Sequence, residues 1–241
     1  MKVECFNAGW MTAPAAVWRR DDDPRERVRF PVPAYLVETK SERVLIDTGL
    51  HPGACADPVA FYGAETMGLF TLELDQPLLE QVDASTLTKV VVTHLHYDHA
   101  GGLSLLPPGI PLFVQRREWE AGEDRAAIER NFYFPRDYAG EREVVAVDGD
   151  YDLLGDGSIE LLLTPGHTPG HQSVRIGEAL VLGADVAYFE SGLDDHRFPP
   201  YGDDQDAQRG SAERLRDLRD GGARVLPGHD PGVVRPGPVG T

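Results

Sequence analysis

Apolar residues along this chain fall mostly in short runs bounded by turn residues, which predicts strands more often than helices. Aliphatic and β-branched runs of strand length occur at 3–6, 35–39, 43–47, 90–93, 112–115, 143–147, 159–163, 172–176, 179–183 and 224–226. Helical spacing predicts helices over 77–84, over 116–130 with an interruption at Gly122, and over 204–220, where Gly221 and Gly222 stop the last one. Two long segments, 10–33 and 50–75, have no period. They carry Trp10, Met11, Trp18, Phe30, Phe61, Met67 and Phe70 among prolines, glycines and charges, so they read as irregular chain that packs over something or lines a pocket. Residues 131–138, with Phe132 near their start, read as an aromatic loop. Strands with interleaved helices in both halves, and no linker between them, predict one layered α/β domain over residues 1–241: two sheets face to face with helices outside.

Composition narrows the partners. A formal net charge of −17 argues against nucleic acid and against docking on an anionic membrane surface. Its densest patches, Asp21-Asp22-Asp23 and Asp203-Asp204, read as solvated surface. Cys5 and Cys55 make no CxxC pair and no disulfide framework, and two free thiols suit a reducing compartment. The first residues lack the apolar core of a signal peptide, and no run reaches the ~18 residues of a membrane span, so a cytoplasmic protein is expected. Apolar side chains near the N-terminus, read as exposed, are compatible with a homodimer.

The chemistry concentrates after the 90–93 run. His94, His96, Asp98 and His99 follow within six residues, and Ala100-Gly101-Gly102 then lets backbone pass close to whatever they hold. If the strand ends near Thr93, His94 and His96 point the same way, while Asp98 and His99 sit in the turn beyond and aim at a second point nearby. Further ligand types stand at the ends of later strands: His167, Asp185 and His229. Seven such groups exceed the four of a single tetrahedral ion and suit two divalent cations if Asp185 bridges them. His171 shares a tight loop with His167 and reads as a hydrogen-bonding neighbour; His51 and His196 read as ordinary surface histidines.

The set His94-x-His96-x-Asp98-His99 with His167, Asp185 and His229 resembles the metallo-β-lactamase superfamily. Within it, the stretches 94–102, 164–173, 184–188 and 228–230 are similar to those of the N-acyl homoserine lactone lactonases, which degrade quorum-sensing signals. The resemblance implies a four-layer αββα sandwich and two divalent metals, zinc first, with iron, cobalt or manganese as substitutes. It assigns His94, His96 and His167 to one metal, Asp98, His99 and His229 to the other, and Asp185 to both. The implied reaction is lactone ring opening by a hydroxide bridging the metals, with Asp98 relaying a proton and Tyr188 donating to the substrate carbonyl. Phe61, Met67, Phe70 and Phe132 are the expected acyl-tail contacts. The alternatives are a glyoxalase-type thioester hydrolase, against which the short stretch after His229 counts, and a non-catalytic metal-binding protein.

Overall fold

The computed structural model describes residues 1–19 and 22–240, so Asp21 of the acidic patch lies outside the described residues. Among the described residues the strands form two sheets. The first has the order β13-β1-β2-β3-β5-β6-β7, with β4 also paired to β1. Its members are β1 (Lys2–Pro14), β2 (Arg27–Glu38), β3 (Arg43–Ile46), β4 (Thr71–Glu73), β5 (Lys89–Val91), β6 (Leu112–Gln115), β7 (Val144–Val147) and β13 (Gly237–Val239). The second runs β12-β11-β10-β9-β8, from β8 (Tyr151–Asp152), β9 (Ile159–Leu163), β10 (Gln172–Ile176), β11 (Leu180–Ala184) and β12 (Arg224–Pro227).

Alternation along each strand assigns side chains to layers. Val91 of β5 faces Ile159, Val174 and Leu182 of the second sheet in the inter-sheet core, while Val90 and Val92 join Leu103 and Leu112 on the outer face. On the far side, Val181 and Val225 pack against Ala212 and Leu215 of the helix Gln205–Asp220. The result is the αββα sandwich expected from the sequence. Asp204 caps that helix by accepting from the backbone N–H groups of Asp206 and Ala207.

The largest departure from expectation is the segment 10–33. Its two ends are strand: β1 and β2 pair antiparallel from Pro14 opposite Arg27 to Lys2 opposite Glu38, with one break in the pairing. A register shift between Asn7 and Trp10 moves the odd positions of β1 to its other face, Val3 and Cys5 joining the inter-sheet core and Met11 and Ala13 the cluster of Trp18 and Phe30, and prolines 31 and 33 hide the period of β2. Those prolines are tolerated because β3 pairs with β2 only from Tyr35 onward. The apolar side chains here, Met11, Trp18 and Phe30, are buried within the chain, and Trp10 is covered by the Arg29 guanidinium 3.9 Å above its ring. The apolar side chains named here are therefore largely covered by the chain itself. Other differences are smaller. The 77–84 helix shrinks to the single turn Leu78–Gln81. The 116–130 helix breaks at Asp124, which caps a second helix Arg125–Asn131, and not at Gly122. Gly122 lies inside the first helix, where a Cβ would meet Leu95 Cδ1 at 2.6 Å.

Candidate metal centre

β5 stops at Val91, two residues earlier than expected, so His94-Leu95-His96 lies in an extended loop. The two histidines still diverge from Leu95, which packs into the outer core. What fixes this loop is Glu118, fully buried on the helix Arg116–Glu123. Its Oε1 accepts from Leu95 N–H (2.9 Å) and the Tyr133 hydroxyl (2.7 Å). Its Oε2 accepts from the Thr168 hydroxyl (2.8 Å) and Gly170 N–H (2.9 Å). One carboxylate thus ties the His94–His96 loop to the loop that carries His167. Burial pushes this carboxyl up, and the four donors oppose that shift.

The seven candidate ligands are all buried and converge in two groups that share Asp185: His94, His96 and His167 in one, Asp98, His99 and His229 in the other. In the first, His96 Nδ1 lies 2.9 Å from both His94 Nε2 and His167 Nε2, and Asp185 Oδ2 is 3.3 Å from His167 Nε2. In the second, Asp185 Oδ1 lies 3.1 Å from His229 Nε2 and 3.4 Å from His99 Nε2, and Asp98 Oδ2 is 3.5 Å from His229 Nε2. The two oxygens of Asp185 face different groups, an arrangement that suits a carboxylate shared by two cations.

Most of these imidazoles are oriented from behind. His96 Nε2–H donates to Asn131 O (2.8 Å), His229 Nδ1–H to Pro31 O (2.9 Å) and His99 Nδ1–H to Asp47 Oδ2 (2.8 Å). Thr93 donates its hydroxyl to Asp47, which leaves its oxygen to accept from His94 Nδ1–H at 3.1 Å. The lone pairs on the opposite nitrogens are left pointing inward. His171 supports the bridge: its Nε2 accepts from Asp185 N–H at 3.1 Å while its Nδ1 lies 3.1 Å from Thr164 O. Asp47 and Ala184, with φ of 59° and 45°, hold left-handed backbone conformations next to this network, strain of the kind found at functional sites.

The residues fit a pair of divalent cations. Among the described residues His99 Nε2, His229 Nε2 and both Asp185 carboxylate oxygens are buried without a hydrogen-bond partner, which is costly unless a cation satisfies them. Burial and neighbouring imidazoles push His94 and His96 well below the usual imidazole range. Burial alone would lower His99 and His229 as well, but the carboxylates of Asp185 and Asp98 pull both above that range.

Above the two groups opens an apolar cavity of about 190 Å³. It is lined by His96 and Asp98 of the ligand groups and by Met11, Trp18, Met67, Phe70, Tyr97, Phe132, Tyr188 and Tyr201.

A sequence profile of the metallo-beta-lactamase superfamily matches residues 27–229. The chain belongs to that superfamily. It is 30% identical over 206 residues to an N-acyl homoserine lactonase of Bacillus thuringiensis, covering 81% of this chain and 79% of the relative. It is 32% identical over 219 residues to the N-acyl homoserine lactonase AttM of Azorhizobium caulinodans, with 84% and 82% covered. Among solved structures, an N-acyl homoserine lactone hydrolase with its product N-hexanoyl-L-homoserine at the catalytic metal centre superposes with a TM-score of 0.83. It has 27% identity and covers 96% of this chain and 94% of that one.

Within this superfamily fold, the expected tail contacts divide. Met67, Phe70 and Phe132 reach the cavity; Phe61 does not. Its ring stacks on His51 at 4.5 Å and lies under the Arg136 guanidinium at 3.6 Å, partners that draw it away from the cavity. His51 is no ordinary surface residue either, since its Nδ1 accepts from Gly53 N–H and caps the turn Pro52–Ala56. His196 stacks on Phe198 and joins neither ligand group. Sequence reasoning missed Asp47, Glu118 and Tyr201. Asp47 had a usable signal, a carboxylate at the end of a buried strand; a glutamate inside a charged helix and a tyrosine in a Pro-Gly loop have none.

Proposed function

We propose that this chain is a two-metal hydrolase that opens the ring of N-acyl homoserine lactones. The observation that carries the reading is Asp185, shared by two buried ligand groups under an apolar cavity, in a chain similar to enzymes named for that activity. Bound in these groups, two divalent ions would supply an ionised water near neutral pH and a Lewis acid for the ester carbonyl. The imidazole and carboxylate donors suit zinc, and iron, cobalt or manganese also accept them.

The chain's own residues do the rest. The wall of Trp18, Met67 and Phe70 takes the acyl tail and excludes water, leaving the lactone ring over His96 and Asp98. Tyr188, its ring edge-on to His229 at 5.0 Å, donates its O–H to the carbonyl oxygen as negative charge develops there. Oxygen from water bonds to the carbonyl carbon, the ring C–O bond breaks, and Asp98 passes the displaced proton to the leaving alkoxide. The product is the ring-opened acyl homoserine. Both cysteines are free, which suits the cytoplasm. No helix among the described residues is long and apolar enough to cross a membrane.

The test is a panel of acyl homoserine lactones, thioesters and phosphoesters assayed with metal-reconstituted protein. Lactones are expected to give the highest kcat/KM. A thioester turned over much faster than every lactone would overturn the reading in favour of a glyoxalase-type enzyme.

A further inference from the structure

Tyr188 has a neighbour that no motif announces. The hydroxyl oxygens of Tyr188 and Tyr201 are 3.0 Å apart, and among the described residues neither has another hydrogen-bond partner. Two hydroxyls sharing one hydrogen bond leave one O–H undonated. Both side chains line the cavity that contains His96 and Asp98, so the spare proton belongs to the cavity wall.

We propose that Tyr201 is a positioning residue for Tyr188: its hydroxyl donates to the Tyr188 oxygen and leaves the Tyr188 proton for the substrate carbonyl. The inference rests on the lactone-hydrolase reading above. Packing sets where the Tyr188 ring lies, with His229, His167 and Trp18 at centroid distances of 5.0, 5.6 and 5.7 Å. Packing does not set where the phenolic proton points, because an aromatic contact places no demand on rotation about the C–O bond. A hydrogen bond accepted by the oxygen does. It orients the proton away from Tyr201, and it polarises the Tyr188 O–H so that it donates more strongly as charge builds on its acceptor.

The scaffold keeps the pair in register with the ligands. Just after Tyr201, Asp203 N–H donates to His167 O at 3.2 Å and Asp204 N–H donates to Gly166 O at 2.9 Å. The Gln208 side-chain amide donates to Asp185 O at 3.2 Å and Val186 O at 3.1 Å, at the turn that leads to Tyr188. Each tyrosine is therefore tied to a ligand-bearing loop, Tyr201 through His167 and Tyr188 through Asp185. Tyr201→Phe removes the donor and keeps the ring, including its edge contact with Phe132 at 6.5 Å, so the cavity keeps its shape.

The experiment is a double-mutant cycle of Tyr201→Phe, Tyr188→Phe and the pair, in metal-reconstituted full chain with N-hexanoyl homoserine lactone. Affinity for the ring-opened product is measured by calorimetry alongside. Tyr201→Phe is expected to lower kcat about three- to tenfold and weaken product binding by a similar factor, with KM and melting temperature nearly unchanged. Both losses should vanish when Tyr188 is already phenylalanine. Full kcat in Tyr201→Phe, or an equal loss with and without the Tyr188 hydroxyl, overturns the inference alone and makes Tyr201 a packing residue. A wild-type protein that leaves every lactone intact overturns the lactone reading and this inference with it.

Discussion

The seven-ligand cradle and the apolar wall above it share His96 and Asp98 as a border, yet hydrogen bonds hold one and ring contacts hold the other. In the cradle His94, His96, His99 and His229 each have a partner behind them, and Glu118 locks two loops with four accepted bonds. In the wall Trp18 meets Phe30 at 4.2 Å and Phe70 at 5.7 Å, edge to face, while its buried indole N–H has no partner among the described residues. Hydrogen bonds fix direction, and a misdirected ligand loses its metal. Ring packing fixes volume more than direction, so the wall can be recut at modest cost. Substitutions in the cradle should therefore act on metal content and kcat, and substitutions in the wall on KM and on chain-length preference.

The sharpest way to break this division is Gly228→Ala, which adds one methyl and no charge. Its Cβ would lie 2.3 Å from Asp185 Oδ1, so the carboxylate shared by the two candidate groups must move. Metal affinity should fall on the order of 100-fold in a chelator competition, with activity falling alongside. Unchanged affinity would mean that the cradle adapts as easily as the wall. Next in size is Tyr188→Phe at the border, which keeps the ring and should cost up to about 100-fold in kcat with metal content and melting temperature intact. Retained kcat and KM would make Tyr188 part of the wall alone.

The smallest effect sharpens the other side. Met67→Ala or Phe70→Ala should raise KM for long-chain lactones several-fold more than for short ones, since each buried methylene contributes about 0.8 kcal/mol. Phe61→Ala should leave that selectivity unchanged, because its ring stacks on His51 away from the cavity. Equal losses on short and long substrates, with a lower melting temperature, would show that the wall merely caps the core.

The same division explains what could be read from the sequence. The candidate ligands stand in the turns beyond buried strands, and local spacing carries that information, so the convergence of His94, His96, Asp98, His99, His167, Asp185 and His229 could be anticipated together with the layered fold. The wall comes from the β1–β2 hairpin and from short turns such as Glu65–Leu69, whose apolar residues follow the shape of a cavity and no period. A register shift after Asn7 and prolines at 31 and 33 hid the longest hairpin of the molecule. Pro31 is nonetheless placed for the site, since its carbonyl orients His229 from 198 residues away. Glu118 was equally hidden: from sequence it is one acidic residue among many on a helix, and only burial and four donors distinguish it.

The most direct measurement is elemental analysis of the metal-saturated protein beside Asp185→Asn. Because Asp185 Oδ1 and Oδ2 face different ligand groups, the wild type should saturate at two divalent ions per chain and the variant should lose occupancy at both positions. Saturation of the wild type at one ion, or two ions retained in Asp185→Asn, would contradict the shared cradle on which the proposed chemistry stands.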